Sequence, residues 1–567
     1  MSMERTIAVR SISCSLVIVF LFASAACADS ATGQFLYQVS AFGAKGDGVS
    51  KDTAAVQKAI DASAAGDGGT VYFAPGTYLC GSLHLRTGVI LWIDAGATIK
   101  GSKDEEDYDP YETLGFKNDA DRETTYFHYS LIWGEDVERV GIVGSGTIDS
   151  NRMLRGGPKA IALKRCRYVE IRGIHIVNTP NYAISMLGTD WVNIDGVTIL
   201  NALADGIDPD ACHNVRISNC HIESDDDAIV PKTSFSLGEH RSSENITVTN
   251  CFLSTSRNAF KLGTESGGDF KRIAVSNCVM SGLKGRCPAT GGIALETVDG
   301  ANLDGVVVSN VTMVDVRAPI FIRLGNRGRD MEAPVPGTLK NVSISNVVAT
   351  EASFPCTITG IPEHNAEGVA LSNIRITYAG GCPYRPPREP VPELINRYPD
   401  PDMFGALPAY GLYCRHVDGL TLSNVQLLFE KDYWRLTSEE TRGIQWVTPE
   451  GVPNPSKSGQ PGHAVVCDDV TNITIDGLNA QASPDGAALV FLINVRDAII
   501  RGCTAPADTK VFLETMGSET NGVALVGNMF RRAEKEAVIG SDVKPAAVTE
   551  VANVKLHDSA VRSRKQE

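Results

Sequence analysis

The sequence predicts an all-β chain wound as a right-handed parallel β-helix, with a short helix capping its first coil. Three observations carry that expectation. A short alternating motif recurs along the chain with a period of about 23 residues where no loop intervenes. One position of the motif is repeatedly Asn or Gly. Beyond the N-terminal cap, the runs between motif copies are β-rich and lack helical spacing.

The motif is aliphatic-x-aliphatic-x-Asn/Gly. It reads Val169 to Gly173, Val192 to Gly196, Val215 to Asn219, Ile246 to Asn250, Ile273 to Asn277 and Val306 to Asn310. Later copies are Val342 to Asn346, Val369 to Asn373, Leu420 to Asn424 and Ile473 to Gly477. Strict alternation marks strands, and a fixed period marks a repeat fold. A leucine-rich repeat would show Leu-rich spacing, and a propeller blade needs roughly 40 residues. A parallel β-helix remains, each coil giving one strand to each of about three sheets. Asn or Gly at a fixed place suits a sharp corner in the left-handed backbone region. Cys220, Cys251 and Cys278 recur at one place in successive copies and are expected to stack in the core as small hydrophobes.

The opening differs. Phe42-Gly43-Ala44-Lys45-Gly46-Asp47-Gly48 reads as a loop, and Asp52 to Ala65 as a helix with Asp52 at its N-cap and Val56, Ala59 and Ile60 on one face. This cap, about residues 40–70, would cover the open end of the solenoid. Thr70 to Phe73 and Val89 to Asp94 begin the strands. The Pro-rich run from Pro383 to Met403, within an insertion of about 383–410, and Tyr433 to Pro461 interrupt the pattern as long loops that wall a binding face. Residues 29–535 read as one domain and 536–567 as a C-terminal cap or tail.

Residues 1–28 read as a signal peptide: Arg5 and Arg10, an apolar stretch from Cys14 to Ala26, then Ala26-Cys27-Ala28 ahead of Asp29. The apolar run is short for a bilayer span. A secreted chain, periplasmic or extracellular, follows, with no stable membrane insertion after cleavage. Of 14 cysteines, Cys14 and Cys27 fall in this segment. No paired CxxC spacing points to zinc, and no metal or other cofactor is expected; bridges among Cys287, Cys356 and Cys382 stay open. The net charge of -15 argues against nucleic acid and requires local cations for any anionic substrate. The chain is expected to be a monomer.

Two acidic clusters carry the chemistry: Ala204-Asp205-Gly206-Ile207-Asp208-Pro209-Asp210 and Ser224-Asp225-Asp226-Asp227-Ala228-Ile229. Asp205 and Asp226 are 21 residues apart, close to one coil. Strands in a sheet lie about 4.8 Å apart, so these carboxylates should stack. Singly, Asp-Gly and Asp-Asp are ordinary turn residues. Two clusters one coil apart crowd like charges at a cost that function would offset. Glycoside hydrolysis needs two such carboxyl groups, one to protonate the leaving oxygen and one to activate water or attack.

On these residues the chain resembles glycoside hydrolase family 28, the polygalacturonase and rhamnogalacturonan hydrolase family, from about Phe42 to the late repeats. That family's Asn-Thr-Asp-Gly-x-Asp and Gly-Asp-Asp read here as Leu203-Ala204-Asp205-Gly206-Ile207-Asp208 and Asp225-Asp226-Asp227. The resemblance implies a pectin-lyase-like β-helix and an inverting, metal-free hydrolase of pectic polysaccharide. Asp226 would be the general acid, Asp205 and Asp227 would position and deprotonate water, and Asp208 would support or bind. The family's Gly-His-Gly falls at Arg257-Asn258-Ala259, which replaces histidine by Asn258, an amide unable to relay a proton. Its Arg-Ile-Lys falls at Ala294-Leu295-Glu296, removing both cations. Arg323, Arg327, Lys232 and Lys261 are candidate replacements for binding substrate; for each, a solvated face or a structural pair is the competing reading. Glu296 in that place would repel a uronate, which favours a neutral neighbour such as rhamnose and hence a rhamnogalacturonan-type substrate. Two alternatives accompany this reading: a lyase with Ca²⁺ at Asp225 to Asp227, and a β-helix that binds carbohydrate without catalysis.

Overall fold

The computed structural model describes residues 35–151, 154–379, 389–430 and 462–555. The predicted signal segment, Cys382 and the 433–461 loop lie outside the described residues. Every strand ladder is parallel, and the motif copies stand on one another in register. Val169 pairs with Val192, Val192 with Val215, Val215 with Ile246 and Ile246 with Ile273. The column continues through Val306, Val342, Val369, Leu420 and Ile473. Further coils follow at Ala498, Val523 and Val548, so the ladder runs past residue 535, through Ala533–Ile539 and Val548–Val551.

Alternation decides which side chains face inward. In Phe270–Gly282, Ile273, Val275, Cys278 and Met280 are buried while Arg272, Ala274 and Val279 are exposed. Stacked inward rows of Ile, Val and Leu form one continuous core along the axis. Cys278 pairs with Val311, and that row continues through Val347, Ile374 and Val425. Cysteine therefore fills an aliphatic position, and Cys220, Cys251 and Cys278 are buried free thiols, as are Cys287 and Cys356 free.

The recurring asparagines turn the corner. Asn219, Asn250, Asn277, Asn310, Asn346, Asn373 and Asn424 have φ of 51–57°, and Gly173, Gly196 and Gly477 take positive φ at the same place. Their amides also bond along the axis: Asn310 donates to Asn277 at 3.1 Å, Asn346 to Asn310 at 3.0 Å, Asn373 to Asn346 at 3.0 Å and Asn424 to Asn373 at 2.8 Å.

The cap helix spans Thr53–Ala65 and buries Val56, Ala59 and Ile60. Asp52 does not cap it through its side chain. Its buried carboxylate instead accepts the amides of Lys45 and Gly46 at 2.7 and 3.0 Å, tying the preceding loop down. The described part of the first insertion packs inward: Val391, Met403, Phe404 and Leu407 lie on Ala294, Phe321, Tyr413 and Val466. These belong to the outward face of the sheet that carries the acidic clusters, so the loop walls one end of that face.

Candidate active site

The site grows from one sheet, with strands Lys159–Lys164, Ile184–Leu187, Ile207–Asp210, Asn258–Leu262 and Ala289–Thr297. Ile184, Ile207, Ile229, Phe260 and Ile293 pair in succession. Two residues before each of them stand Tyr182, Asp205, Asp227, Asn258 and Gly291, one outward row. The in-register partner of Asp205 is thus Asp227, and Asp226 sits one residue earlier, at the corner. Gly206 permits this close stacking: a Cβ there would lie 2.5 Å from the Ala228 carbonyl oxygen.

Asp205, Asp226 and Asp227 each bring a carboxylate oxygen within 4.8 Å of the others. The Asp227 amide donates to Asp205 Oδ1 and Asp226 Oδ1, both at 3.1 Å. Lys232 Nζ lies 2.9 Å from Asp205 Oδ2, 2.7 Å from Asp208 Oδ2 and 2.9 Å from the Tyr182 hydroxyl. Lys261 Nζ lies 3.2 Å from Asp227 Oδ2 and 3.4 Å from the Tyr398 hydroxyl. Asn258 donates its backbone and side-chain N–H to Asp227 Oδ1 at 2.9 and 2.8 Å. The Asp205 and Asp227 side chains are only 4% and 6% exposed, whereas Asp226 is 25% exposed and meets Arg155 Nη1 at 2.6 Å.

Burial drives the Asp205 carboxyl well above the usual carboxylate range; Lys232 opposes this, while Asp226 and Asp227 add to it. Burial also raises Asp208 against the pull of Lys232. Lys232 loses hydration, but Asp205 and Asp208 outweigh that loss and hold it charged, well above the usual lysine range. Lys261 is likewise held charged against burial, chiefly by Asp227. Asp210, accepting the Ser234 amide at 2.8 Å, is pushed up to about 7 by burial. Two ammonium groups therefore already compensate two of the three clustered carboxylates, which is the office a bridging Ca²⁺ would fill.

The predicted residues separate into two groups. Lys232, Asp208, Asn258 and Lys261 meet the three aspartates. Arg323 does not: buried, it donates to the carbonyls of Gly360, Glu393 and Leu394 and anchors the walling loop. Arg327 grips both oxygens of Asp299 at 2.9 and 2.6 Å. Glu296 is correctly placed, 3.9 Å from Lys261, but wholly buried. Both its oxygens lack a hydrogen-bond partner among the described residues, and burial pushes it up to about 8. Burial thus favours the protonated acid beneath the surface, which weakens the expected repulsion of a uronate by Glu296.

Three site residues escaped sequence reasoning. Tyr182 stands 23 residues before Asp205 in the same row, so the period alone could have found it. Tyr398 comes from the loop flagged as a wall. Arg155 reaches Asp226 across 71 residues from a short loop, with no periodic signal.

The description "Glycosyl hydrolases family 28" matches residues 112–387, and "Rhamnogalacturonase A/epimerase, pectate lyase-like" matches residues 36–103. A probable polygalacturonase of Vitis vinifera is 24% identical over 368 residues, covering 60% of this chain and 73% of that protein. An endo-polygalacturonase of Pectobacterium carotovorum subsp. carotovorum is 25% identical over 352 residues, covering 55% of this chain and 82% of its own. Among solved structures, a hyperthermoactive exopolygalacturonase from Thermotoga maritima shares the fold, with TM-score 0.54 and 22% identity over 61% of this chain and 88% of that one. The chain is a glycoside hydrolase on a parallel β-helix, and its residues 112–387, which hold the crowded carboxylates, match glycosyl hydrolase family 28.

Proposed function

We propose that the chain hydrolyses galacturonide linkages in pectic polysaccharide with inversion, Asp226 protonating the leaving oxygen while Asp205 and Asp227 hold and deprotonate the attacking water. The observation that carries this reading is the three-carboxylate cluster with two buried lysines. Asp226 is the most exposed of the three and so the one able to reach a glycosidic oxygen. Asp205 has one oxygen on Lys232 and the other on the Asp227 amide. Asp227 has one on Lys261 and the other on Asn258. Carboxylates engaged in this way are weak nucleophiles, which favours water over direct attack.

The spacing is a counterweight. Inverting pairs usually stand roughly 6.5–9.5 Å apart and retaining pairs about 5–5.5 Å, whereas these oxygens cluster within 4.8 Å. The anomer first formed, read by proton NMR, decides: a retained configuration refutes the assignment of Asp205 and Asp227 as water-holding groups. With Glu296 buried and protonated, a rhamnose-bearing substrate loses its main support, and a uronate on either side of the scissile bond is compatible with the site. We place the enzyme outside the cytoplasm, where such polymers occur; among the described residues no helix is long and apolar enough to cross a membrane.

Product analysis on polygalacturonate and rhamnogalacturonan, wild type against Asp226→Asn, tests the reading. General acid catalysis contributes about 10²–10⁴ in rate. A loss of that order supports the assignment; unchanged turnover in the variant, or none in either form, overturns it. Products absorbing in the ultraviolet and activity abolished by a chelator would replace it with the lyase.

A further inference from the structure

Arg155 is the cation at this site that neither the repeat nor the family pattern explains. Its loop leads into Lys159–Lys164, on the N-terminal side of the aspartates along the solenoid. Glu123 grips one edge of its guanidinium, Nε at 3.1 Å and Nη2 at 2.6 Å. The remaining nitrogen, Nη1, lies 2.6 Å from Asp226 Oδ2. The Arg155 side chain is 47% exposed, and it borders an open cleft of about 610 Å³ that also presents Lys103, Asn151 and Glu105, the last bonded by the Tyr129 hydroxyl. The planar fork of arginine suits a carboxylate, and its orientation by Glu123 is fixed before any ligand arrives.

The contact with Asp226 conflicts with catalysis. A general acid must approach the leaving oxygen, and the ion pair holds the Asp226 carboxylate on Arg155 instead. The other charges nearby are engaged elsewhere. Lys232 and Lys261 stand behind Asp205 and Asp227, Asp225 is paired to Arg286 at 2.8 Å, and Glu123 stands beyond Arg155. Arg155 is the only one of the cations named here that touches Asp226 itself, and among them it has the exposure to change partner.

Resting on the reading that the substrate is a galacturonide, we infer that Arg155 is the receptor for a substrate carboxylate, with Asp226 occupying its free nitrogen in the unliganded enzyme. An arriving uronate exchanges one ion pair for another, so Arg155 keeps a partner while Asp226 is released. Once released, the Asp226 carboxyl is free to turn to the leaving oxygen. The arrangement replaces the missing Arg-Ile-Lys cations by a cation on the opposite side of the aspartates. It also ties acid activation to the charge of the substrate: a neutral, esterified sugar at that subsite would leave Asp226 paired.

The test compares trigalacturonate with its methyl ester. Binding is measured by calorimetry in an Asp205→Asn background that stops turnover, with Arg155, Arg155→Gln and Arg155→Lys. A charge-assisted hydrogen bond is worth enough that Arg155→Gln should weaken the acid about 10- to 100-fold while sparing the ester, and Arg155→Lys should recover part of the loss. In variants that keep Asp205, Arg155→Gln should raise KM for the acid and not for the ester, a split that mere damage to the loop would not produce. Equal losses for acid and ester, no loss for either, or a KM change shared by both overturn the inference. A wild type that prefers the acid in binding yet hydrolyses no pectic substrate refutes the functional reading and leaves Arg155 as a uronate receptor.

Discussion

Replacing Glu296 by glutamine should stabilise the protein in a pH-dependent way. Glu296 is 0% exposed, neither oxygen has a hydrogen-bond partner among the described residues, and burial raises its pKa from 4.5 to about 8. Between those values the folded chain holds a proton that the unfolded chain has released. Stability therefore falls as pH rises from 4.5 and has lost its full increment by about 8. At about 1.4 kcal/mol per unit, the loss is on the order of 3 kcal/mol at pH 7 and up to about 5 kcal/mol above pH 8. Glutamine has no such titration, and Lys261 keeps Asp227 at 3.2 Å in either case. The variant should match wild type near pH 5 and exceed it progressively toward pH 8.5. Unfolding entropies of about 2.1 cal/mol/K per residue turn roughly 3 kcal/mol into a gain of about 2–3 °C in a chain this long. Thermal unfolding at one scan rate, from pH 5 to 8.5, reads it. A variant that tracks wild type across the range, or gains most at pH 5, refutes the claim that Glu296 is a buried protonated acid.

Three further outcomes are expected. Lys232→Met removes the ion-pair partner that Asp205 and Asp208 share, so it should cost about 3–5 kcal/mol in urea unfolding and abolish turnover; a loss below about 1 kcal/mol would show the pair to be solvated. Lys159 is buried against the Phe127 ring at 3.8 Å and the Ser185 hydroxyl at 3.0 Å, and burial lowers it to about 7. Between pH 7 and its ordinary range the unfolded chain binds the extra proton, so wild-type stability from this group rises with pH; Lys159→Met should gain most at pH 6 and least at pH 10, and a pH-independent difference would contradict it. Asn346→Ala places alanine at φ 55° and removes two amide bonds of the corner ladder, for a loss of about 2–4 kcal/mol that Asn346→Gly should partly restore.

What could be read without coordinates was whatever repeats. The alternating motif fixed the coil, because a one-residue slip would turn every inward Val and Ile to solvent. The same period put the two acidic clusters on neighbouring coils, although the near-coil spacing of Asp205 and Asp226 suggested the wrong member of the Asp225 to Asp227 run as the stacked partner, and Asn258 was reached only through the family resemblance. Asp52 looked like a cap because its position before an apolar-periodic run is all that sequence offers; the competing Lys45 and Gly46 amides depend on how the loop folds back. Arg323 and Glu296 were misjudged for a related reason. A charged residue on an outward row is expected to face substrate, but Arg323 is buried under the loop carrying Val391, Phe404 and Leu407, bonding its Glu393 and Leu394 carbonyls, and Glu296 is fully buried as well.

The replacement of the family's histidine shows how the row reconciles these departures. Asn258 cannot carry a proton, yet its two N–H groups fix Asp227 Oδ1 while Lys261 fixes Oδ2. Asp227 is thereby held as an oriented acceptor, and Lys232 and the Asp227 amide orient Asp205 in the same way. Two carboxyl groups engaged on both oxygens are poorly placed to reach a leaving group, which is why the proposed acid is the third. Only Asp226 among the three is reachable from solvent and held by a partner that can leave. The chemistry then needs no proton relay at Asn258, provided that something draws Arg155 away, and an anionic substrate is the agent whose charge would do so.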